Sequence, residues 1–183
     1  MSSTSALAII RSEQLGRDLS GWAWEILTSS EWDAMSRIDL TRKINAPVAD
    51  VFRCVSDIRE YSRAQPQIVN VQFLTDQQLG TGTRFRETRL MNGKEAVTEL
   101  EVTEFVENDR VRMVADSHGT IWDTVFTVKS IGATTELTMV MDAKSYKLLA
   151  KLMNLLIKGM ITKAVSKDLD QVKAYCESRD GAS

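Results

Sequence analysis

The chain has 183 residues, of which 43% are hydrophobic and 26% charged, and this is enough for one globular domain with a buried core. Its formal net charge of −2 gives no basic excess, which argues against a protein held on nucleic acid by phosphate contacts. No apolar run is long enough to span a membrane, the first residues lack the pattern of a signal peptide, and neither cysteine has the spacing of a disulfide framework. We therefore expect a soluble cytoplasmic protein.

The first 36 residues differ in composition from the rest of the chain and contain most of its tryptophans, Trp22, Trp24 and Trp32. Apolar side chains recur at helical spacing between Leu15 and Ile26, so we expect residues 1–36 to form a partly helical N-terminal extension. This helix either docks on the main domain or presents its tryptophans to a partner or, transiently, to a membrane surface. Met35, directly before a strand pattern, leaves open an alternative translation start.

Between residues 38 and 143 the sequence alternates as strands do, and turn residues divide it into seven segments. The predicted strands are residues 38–44, 68–74, 83–90, 95–106, 111–115, 119–128 and 135–143. Two short helices, residues 48–56 and 58–63, are predicted between the first and second strands, because Pro47 suits a helix start and Pro66 disfavours helix in the residue before it. Asn92-Gly93 is a strong signal for a β-hairpin.

Residues 146–178 contain no proline and a single glycine, Gly159, and their apolar residues recur every three to four positions. They predict one long amphipathic helix, whose apolar stripe a sheet must bury. Beyond Val165 one stripe suffices to pack this helix on a sheet, whereas residues 148–161 are apolar nearly all round. We interpret the second segment as the movable wall of a cavity, with Gly159 permitting a bend or a close ligand approach.

Several stretches resemble the superfamily that joins START-like (SRPBCC) lipid-transfer domains, polyketide cyclases and pollen-allergen proteins. The matching stretches are residues 42–47 (RKINAP) with Val51-Phe52, residues 57–66 with Tyr61 at an aromatic position, residues 80–85 (GTGTRF), residues 102–105 (VTEF) leading to Arg110-Val111, and residues 132–137 (GATTEL). The resemblance covers residues 37–178, leaving residues 1–36 as an extension and 179–183 as a tail. It implies the helix-grip fold, an α+β architecture with an antiparallel, strongly curved sheet of about seven strands wrapped around the long C-terminal helix.

The sequence offers little apparatus for metal or nucleophilic chemistry. The single histidine, His118, has no companion ligands at metal-binding spacing, so we predict no metal site and no cofactor. Asp116, Ser117 and His118 are neighbours in an extended segment, where successive side chains point to opposite faces, so they do not predict a catalytic relay among themselves.

The concave face of the predicted sheet is the expected ligand site. A cavity needs a few polar groups among apolar ones, whereas unpaired charges in a packed core cost several kcal/mol. The strands are expected to contribute Arg42, Phe85, Glu87, Arg89, Leu100, Val102, Met113, Trp122, Thr124, Phe126, Met139 and Met141. The helix is expected to contribute Leu149, Met153, Leu156 and Met160. Alternatively, the charged residues lie at a solvated edge, or on the outer face because of a bulge.

Within the resemblance, the commonest implied role is binding or transport of a hydrophobic small molecule such as a lipid, polyketide, isoprenoid or sterol-like compound. Glu87 or Arg89 would orient its polar head. A second hypothesis is a cyclase/dehydrase or isomerase in which Glu87 or Glu104, both placed on the concave face by strand alternation, acts as general base. A third is a co-chaperone-like interaction module with a filled cavity and an exposed apolar patch. Ligand identity, oligomeric state and the presence of any reaction stay open at this point.

Overall fold

The structure, a computed structural model, describes residues 37–91, 93–146 and 148–180, with side chains given from 156 to 179 in the last helix. The predicted helix within residues 1–36 and the end of the predicted tail lie outside the described residues. The strands are β1 (Arg37–Ile44), β2 (Ile68–Phe73), β3 (Arg84–Met91), β4 (Lys94–Val106), β5 (Arg110–Ser117), β6 (Thr120–Ile131) and β7 (Thr134–Ser145). The helices are α1 (Val48–Ser56), α2 (Ile58–Ala64) and α3 (Leu148–Asp180).

The seven strands form one antiparallel sheet in the order β1-β7-β6-β5-β4-β3-β2. Each strand from β2 to β6 is hydrogen-bonded to the next strand in sequence, as expected of a meander, while β1 pairs with β7. The two short helices therefore carry the chain from one edge of the sheet to the other. This is the predicted helix-grip α+β fold, and the sheet curves around α3 as the sequence indicated.

Local sequence explains where the short helices begin and end. Pro47 lies at the start of α1 with a φ of −59°, which is close to the value its ring imposes. Asp57 separates the two helices and caps α2, because its side chain accepts a hydrogen bond of 2.9 Å from the backbone N–H of Arg59. The pair Gln65-Pro66 ends α2 as expected.

The core lies between the sheet, α1 and the C-terminal half of α3. Leu169 and Val172 of α3 are 1% and 0% exposed and belong to one buried cluster with Val51 and Phe52 of α1. The two cysteines, Cys54 and Cys176, are free and buried in the same cluster, as small apolar residues often are. Among the helices that the structure describes, none is long and apolar enough to cross a membrane.

A bulge in β4 reverses the alternation that the sequence suggested for the end of that strand. Val102 pairs with Met113, but the next paired residue is Glu104, opposite Arg112. One extra residue in a strand moves the following side chains to the other face. Glu104 consequently lies on the convex face, away from α3, and its predicted position on the concave face is wrong.

The helix α3 is continuous through Gly159, and a Cβ added at that glycine would meet nothing within 4 Å. The structure thus shows neither a break nor a close approach at this position. The neighbouring side chains of Leu156 and Met160 are 71% and 55% exposed, in contrast to Leu169 and Val172, which are buried further along the helix.

Candidate functional site

A cavity of about 320 Å³ lies between the concave face of the sheet, α2 and α3. This volume is at the lower end of the range typical of ligand pockets, roughly 300–1,000 Å³. Its walls are mostly apolar, from phenylalanine, methionine, tryptophan and aliphatic side chains, with a small group of charged residues at one place. That combination is typical of a site that holds an apolar molecule and orients it by a few polar contacts.

Most of the residues predicted to line a cavity border this one. From the strands these are Phe85, Glu87, Arg89, Leu100, Met113, Trp122, Thr124, Phe126, Met139 and Met141, and from α3 Met160. The regular alternation along β3, β5, β6 and β7 places them on the same face.

Four predicted residues do not border the cavity. Arg42 reaches the concave side, but its Nε donates a hydrogen bond of 2.6 Å to Asp170 and its Nη2 one of 2.7 Å to Ser166, so it fastens β1 to α3. Val102 is buried in the solid core, and Leu156 is exposed to solvent. Glu104 accepts a hydrogen bond of 2.7 Å from Arg110 Nε on the convex face. The side chains of Leu149 and Met153 lie outside the described residues.

The sequence reasoning missed lining residues from the helices. These are Val55 of α1, Ile58 and Tyr61 of α2, and Ile161, Ala164, Val165, Asp168 and Leu169 of α3, together with Met91, Thr98, Ala115 and Ser117 of the strands. Asp168 is the one that matters for chemistry. It lies three residues after Val165 and four before Val172, which puts it on the buried stripe, so helical spacing was the signal that could have revealed it.

The charged group of the cavity is centred on Arg89. Its Nε donates a hydrogen bond of 2.7 Å to Glu87 Oε1, and its Nη1 donates one of 2.6 Å to Asp168 Oδ2. The guanidinium carbon also lies 5.9 Å from the centre of the Tyr61 ring. Both bonds join opposite charges, so they are short and strong. The bond to Asp168 connects β3 to α3.

Two glutamines hold Asp168 in place. Gln67 Nε2 donates a hydrogen bond of 2.8 Å to Asp168 Oδ1 and one of 2.7 Å to Gln65 Oε1. Gln65, which is fully buried, donates from its own Nε2 to the main-chain carbonyl of Asp168 at 2.8 Å. The segment after α2 therefore fixes both the backbone and the carboxylate of Asp168, which is the property of a preorganised polar site.

Electrostatics keep Arg89 charged and Tyr61 neutral. Burial acts against the charge of Arg89, but the negative charges of Glu87 and Asp168, with Glu87 the larger, help to outweigh burial, and the pKa of the guanidinium is raised above its ordinary value. Burial is also the main reason why the pKa of the Tyr61 phenol is raised. At neutral pH the site thus presents a guanidinium cation and a protonated phenol.

The structure modifies the prediction about Asp116, Ser117 and His118. His118 has a φ of 54°, and in this turn its Nδ1 lies 2.6 Å from Ser117 Oγ, so the two side chains do meet. Asp116, however, accepts a hydrogen bond of 3.1 Å from Tyr146 instead of orienting the imidazole. A three-residue relay is not assembled. Within residues 37–91, 93–146 and 148–180, no three His, Cys, Asp or Glu side chains are grouped so as to hold a metal ion.

The model of the family described as Polyketide cyclase / dehydrase and lipid transport matches residues 35–177 of this chain. Among curated protein sequences, none matches it. A Thermus thermophilus protein of known structure has a TM-score of 0.64 and 16% identity, covering 78% of this chain and 98% of that one. A START superfamily protein from Mycobacterium smegmatis has a TM-score of 0.58 and 17% identity, covering 78% of this chain and 95% of that one.

StfQ, the di-domain ARO/CYC protein of the steffimycin biosynthetic pathway, has a TM-score of 0.67 and 11% identity, covering 83% of this chain and 55% of that one. At such low identities these likenesses establish a shared fold, and they do not establish a shared activity.

Proposed function

This chain belongs to the polyketide cyclase / dehydrase and lipid transport family, and we propose that it binds or transports a hydrophobic small molecule in the cavity under α3. The family membership confirms the START-like resemblance found in the sequence. Because the family description includes both enzymes and lipid carriers, the choice between them depends on the site itself.

The observation that carries the proposal is an apolar cavity whose charged side chains, Glu87, Arg89 and Asp168, are grouped at one place, which we call its polar end. Each methylene group transferred from water to such walls contributes about 0.8 kcal/mol, so a medium-sized apolar molecule gains several kcal/mol on entry. Methionines on three elements, Met113 of β5, Met139 and Met141 of β7, and Met160 of α3, supply flexible side chains that adapt to different ligand shapes. This favours binding of a class of related molecules.

The proposed entrance lies between the end of β3 and the middle of α3. Met91 and Met160 both line the cavity, and both are exposed, so they border its mouth. An apolar molecule that leaves a membrane or a carrier would meet these two side chains first. The cytoplasmic location expected from the cysteine pattern stays a prediction.

A cavity-filling variant tests the proposal. Ala115 is buried and lines the cavity, so Ala115→Phe should occupy ligand space at a folding cost of about 1–3 kcal/mol. Binding is measured with N-phenyl-1-naphthylamine, a neutral dye whose fluorescence rises when it leaves water. We expect saturable binding to the native protein and an affinity at least tenfold weaker for the variant.

Ala133→Phe is the matched control, because Ala133 is exposed in the turn between β6 and β7. It should leave the affinity for the dye unchanged, and circular dichroism checks that both variants fold. Equal dye affinity in native protein and Ala115→Phe would refute binding in this cavity.

The second candidate is a cyclase/dehydrase-type enzyme, and Glu87 is the observation that favours it. Its carboxylate lines the cavity, where it would be in reach of an acidic C–H group of a polyketide. Glu104 drops out of this hypothesis because it lies on the convex face. The test uses a short β-diketone thioester in heavy water. Faster exchange of its C–H protons with the native protein than with Glu87→Gln would support a general base, and equal rates would exclude it.

The third hypothesis, an interaction module, required a filled cavity. The open cavity gives it no support.

A further inference from the structure

We infer that the polar end of the cavity selects a ligand whose head group donates hydrogen bonds, a hydroxyl or a protonated amine, over one that ends in a carboxylate. This inference rests on the proposed function, since it names the class of molecule that the same cavity takes. It depends on three observations: the balance of charge at the polar end, an unused acceptor atom of Glu87, and the hydrogen bonds that the Arg89 guanidinium already makes.

The first observation is an excess of negative charge. The charged residues of the lining are Glu87, Arg89 and Asp168, which is two carboxylates to one guanidinium. Both carboxylates bond to that same guanidinium, at 2.7 and 2.6 Å. The polar end therefore carries a formal charge of −1, and this charge acts in a site that is shielded from bulk water, where its effect is stronger than at the surface.

The second observation is that one carboxylate oxygen is left over. Asp168 uses both of its oxygens, one for Gln67 and one for Arg89. Glu87 uses Oε1 for Arg89, while its Oε2 has no hydrogen-bond partner in the part of the chain that the structure describes. The Glu87 side chain is only 9% exposed, and the residue lines the cavity. Among the described residues, Glu87 Oε2 is not one of the fully buried unpaired side-chain atoms, so it stays accessible on a residue that lines the cavity, where a ligand donor can pair with it.

The third observation concerns Arg89, the group that would otherwise attract an anion. Two of its nitrogens, Nε and Nη1, are already bonded to carboxylates, so a ligand anion would have to use Nη2 or the second N–H of Nη1. A ligand carboxylate that reached either of these donors would come close to Glu87 and Asp168 and would be repelled by both. A hydroxyl meets no such repulsion, because it donates to Glu87 Oε2 and carries no charge. An ammonium group is attracted by the excess negative charge.

The test is a set of three amphiphiles with the same alkyl chain, namely decanol, decylamine and decanoate. Each is titrated into the full-length native protein by calorimetry near pH 7 and below its micellar concentration. Under these conditions the amine is protonated and the acid ionised. We expect decanol and decylamine each to bind at least tenfold more tightly than decanoate.

Glu87→Gln removes the charge and keeps the shape of the side chain, and Arg89 retains Asp168 as a partner. In this variant the ratio of decylamine to decanoate affinity should fall at least tenfold. The matched control is Glu104→Gln, which also neutralises a glutamate paired with an arginine, but on the convex face. It should leave the ratio unchanged.

The outcomes separate the inference from the function on which it rests. If the neutral dye binds and all three amphiphiles bind equally, or decanoate binds most tightly, the cavity is a ligand site and the inference is overturned. The inference is also overturned alone if the dye binds and none of the amphiphiles does. If neither the dye nor any amphiphile binds, both fail. If decanol and decylamine both bind more tightly than decanoate, the inference is supported. Tighter binding of decylamine than of decanol would then show selection by charge, and equal binding of the two would show selection by hydrogen bonding.

Discussion

The two halves of α3 differ both in composition and in surroundings, because residues 148–161 are apolar nearly all round while the segment from Val165 onward has one apolar stripe. In the C-terminal half, Leu169 and Val172 are buried against α1 and the sheet, and Arg42 of β1 bonds to Ser166 and Asp170. In the middle of the helix, Leu156 and Met160 are largely exposed, although they are as apolar. The difference shows that the C-terminal half anchors the fold, whereas exposed positions such as Leu156 and Met160 can be varied with less effect on stability.

The largest expected effect comes from the anchoring half. Leu169→Ala removes a side chain that is 1% exposed in the core and should lower the free energy of unfolding by about 2–5 kcal/mol. Leu156→Ala, on the same helix, removes a side chain that is 71% exposed and should change it by less than about 0.5 kcal/mol. Urea denaturation followed by circular dichroism measures both. Similar losses of stability in the two variants would contradict the proposed difference between the two halves of α3.

A smaller effect is expected at Asp168, which belongs to the anchoring half and also lines the cavity. Asp168→Asn removes the negative charge that faces Arg89, and one of the oxygens that accept hydrogen bonds becomes an amide. We expect a loss of about 1–3 kcal/mol in the free energy of unfolding, because a charge-assisted bond in a mostly buried place is lost.

Asp170→Asn is the control for Asp168, since Asp170 also pairs with an arginine but its side chain is 60% exposed. Exposed ion pairs contribute no more than about 1 kcal/mol. A larger loss for Asp170→Asn than for Asp168→Asn would contradict the view that the buried network contributes more than the exposed pair to holding α3 on the sheet.

Substitution of the helix glycine, Gly159, should raise the stability of the protein instead of lowering it. Gly159→Ala places a methyl group in open space in the interior of a helix, where alanine is better than glycine by about 1 kcal/mol. We expect a gain in stability of up to that amount and no loss of dye binding. A steric block to binding in this variant would show that the ligand approaches the helix at Gly159 after all.

Gly132→Ala serves as the contrasting variant. Its added Cβ also meets nothing within 4 Å, but its φ is +62°, a conformation that is strained for alanine. It should therefore destabilise the protein, although the space around the two glycines is the same. Thermal melts of both variants separate the effect of backbone conformation from that of space.

The sequence predicted the fold and the strand faces well because period-2 alternation is undisturbed along most strands. Phe85, Glu87 and Arg89 follow one another on the concave face of β3, and all three line the cavity. Glu104 was misplaced because a bulge inserts one residue into β4, and alternation carries no sign of where a bulge lies.

The sequence wrongly predicted Arg42 as a cavity residue and did not predict Asp168, and both errors have a different cause. Arg42 faces the helix as predicted, but it lies opposite the anchoring half and not opposite the cavity. Asp168 pairs with Arg89 across 79 positions of sequence, and such a pairing is set by how α3 lies over the sheet. Periodicity gives the face of an element, whereas the position of one element over another depends on tertiary packing.

The smallest expected effect is a pH dependence of the anchoring half. The hydrogen bond from Arg42, together with its charge, lowers the pKa of Asp170 below its ordinary value, although burial acts the other way. A carboxyl with a lowered pKa stabilises the folded state above its unfolded pKa of about 3.9, and this contribution is lost as the pH falls through the folded pKa. Because Asp170 is mostly exposed, the contribution should stay under about 1 kcal/mol.

Urea denaturation of the native protein and of Asp170→Asn at several pH values between neutral and strongly acidic conditions measures this contribution. The difference in stability between the two proteins should shrink as the pH falls, because protonation of Asp170 removes the same charge as the substitution. Since the tie between Arg42 and Asp170 joins β1 only to the C-terminal half of α3, dye affinity should be the same in both proteins wherever both are folded. A pH-dependent difference in dye binding between them would mean that the tie between Arg42 and Asp170 also affects the shape of the cavity.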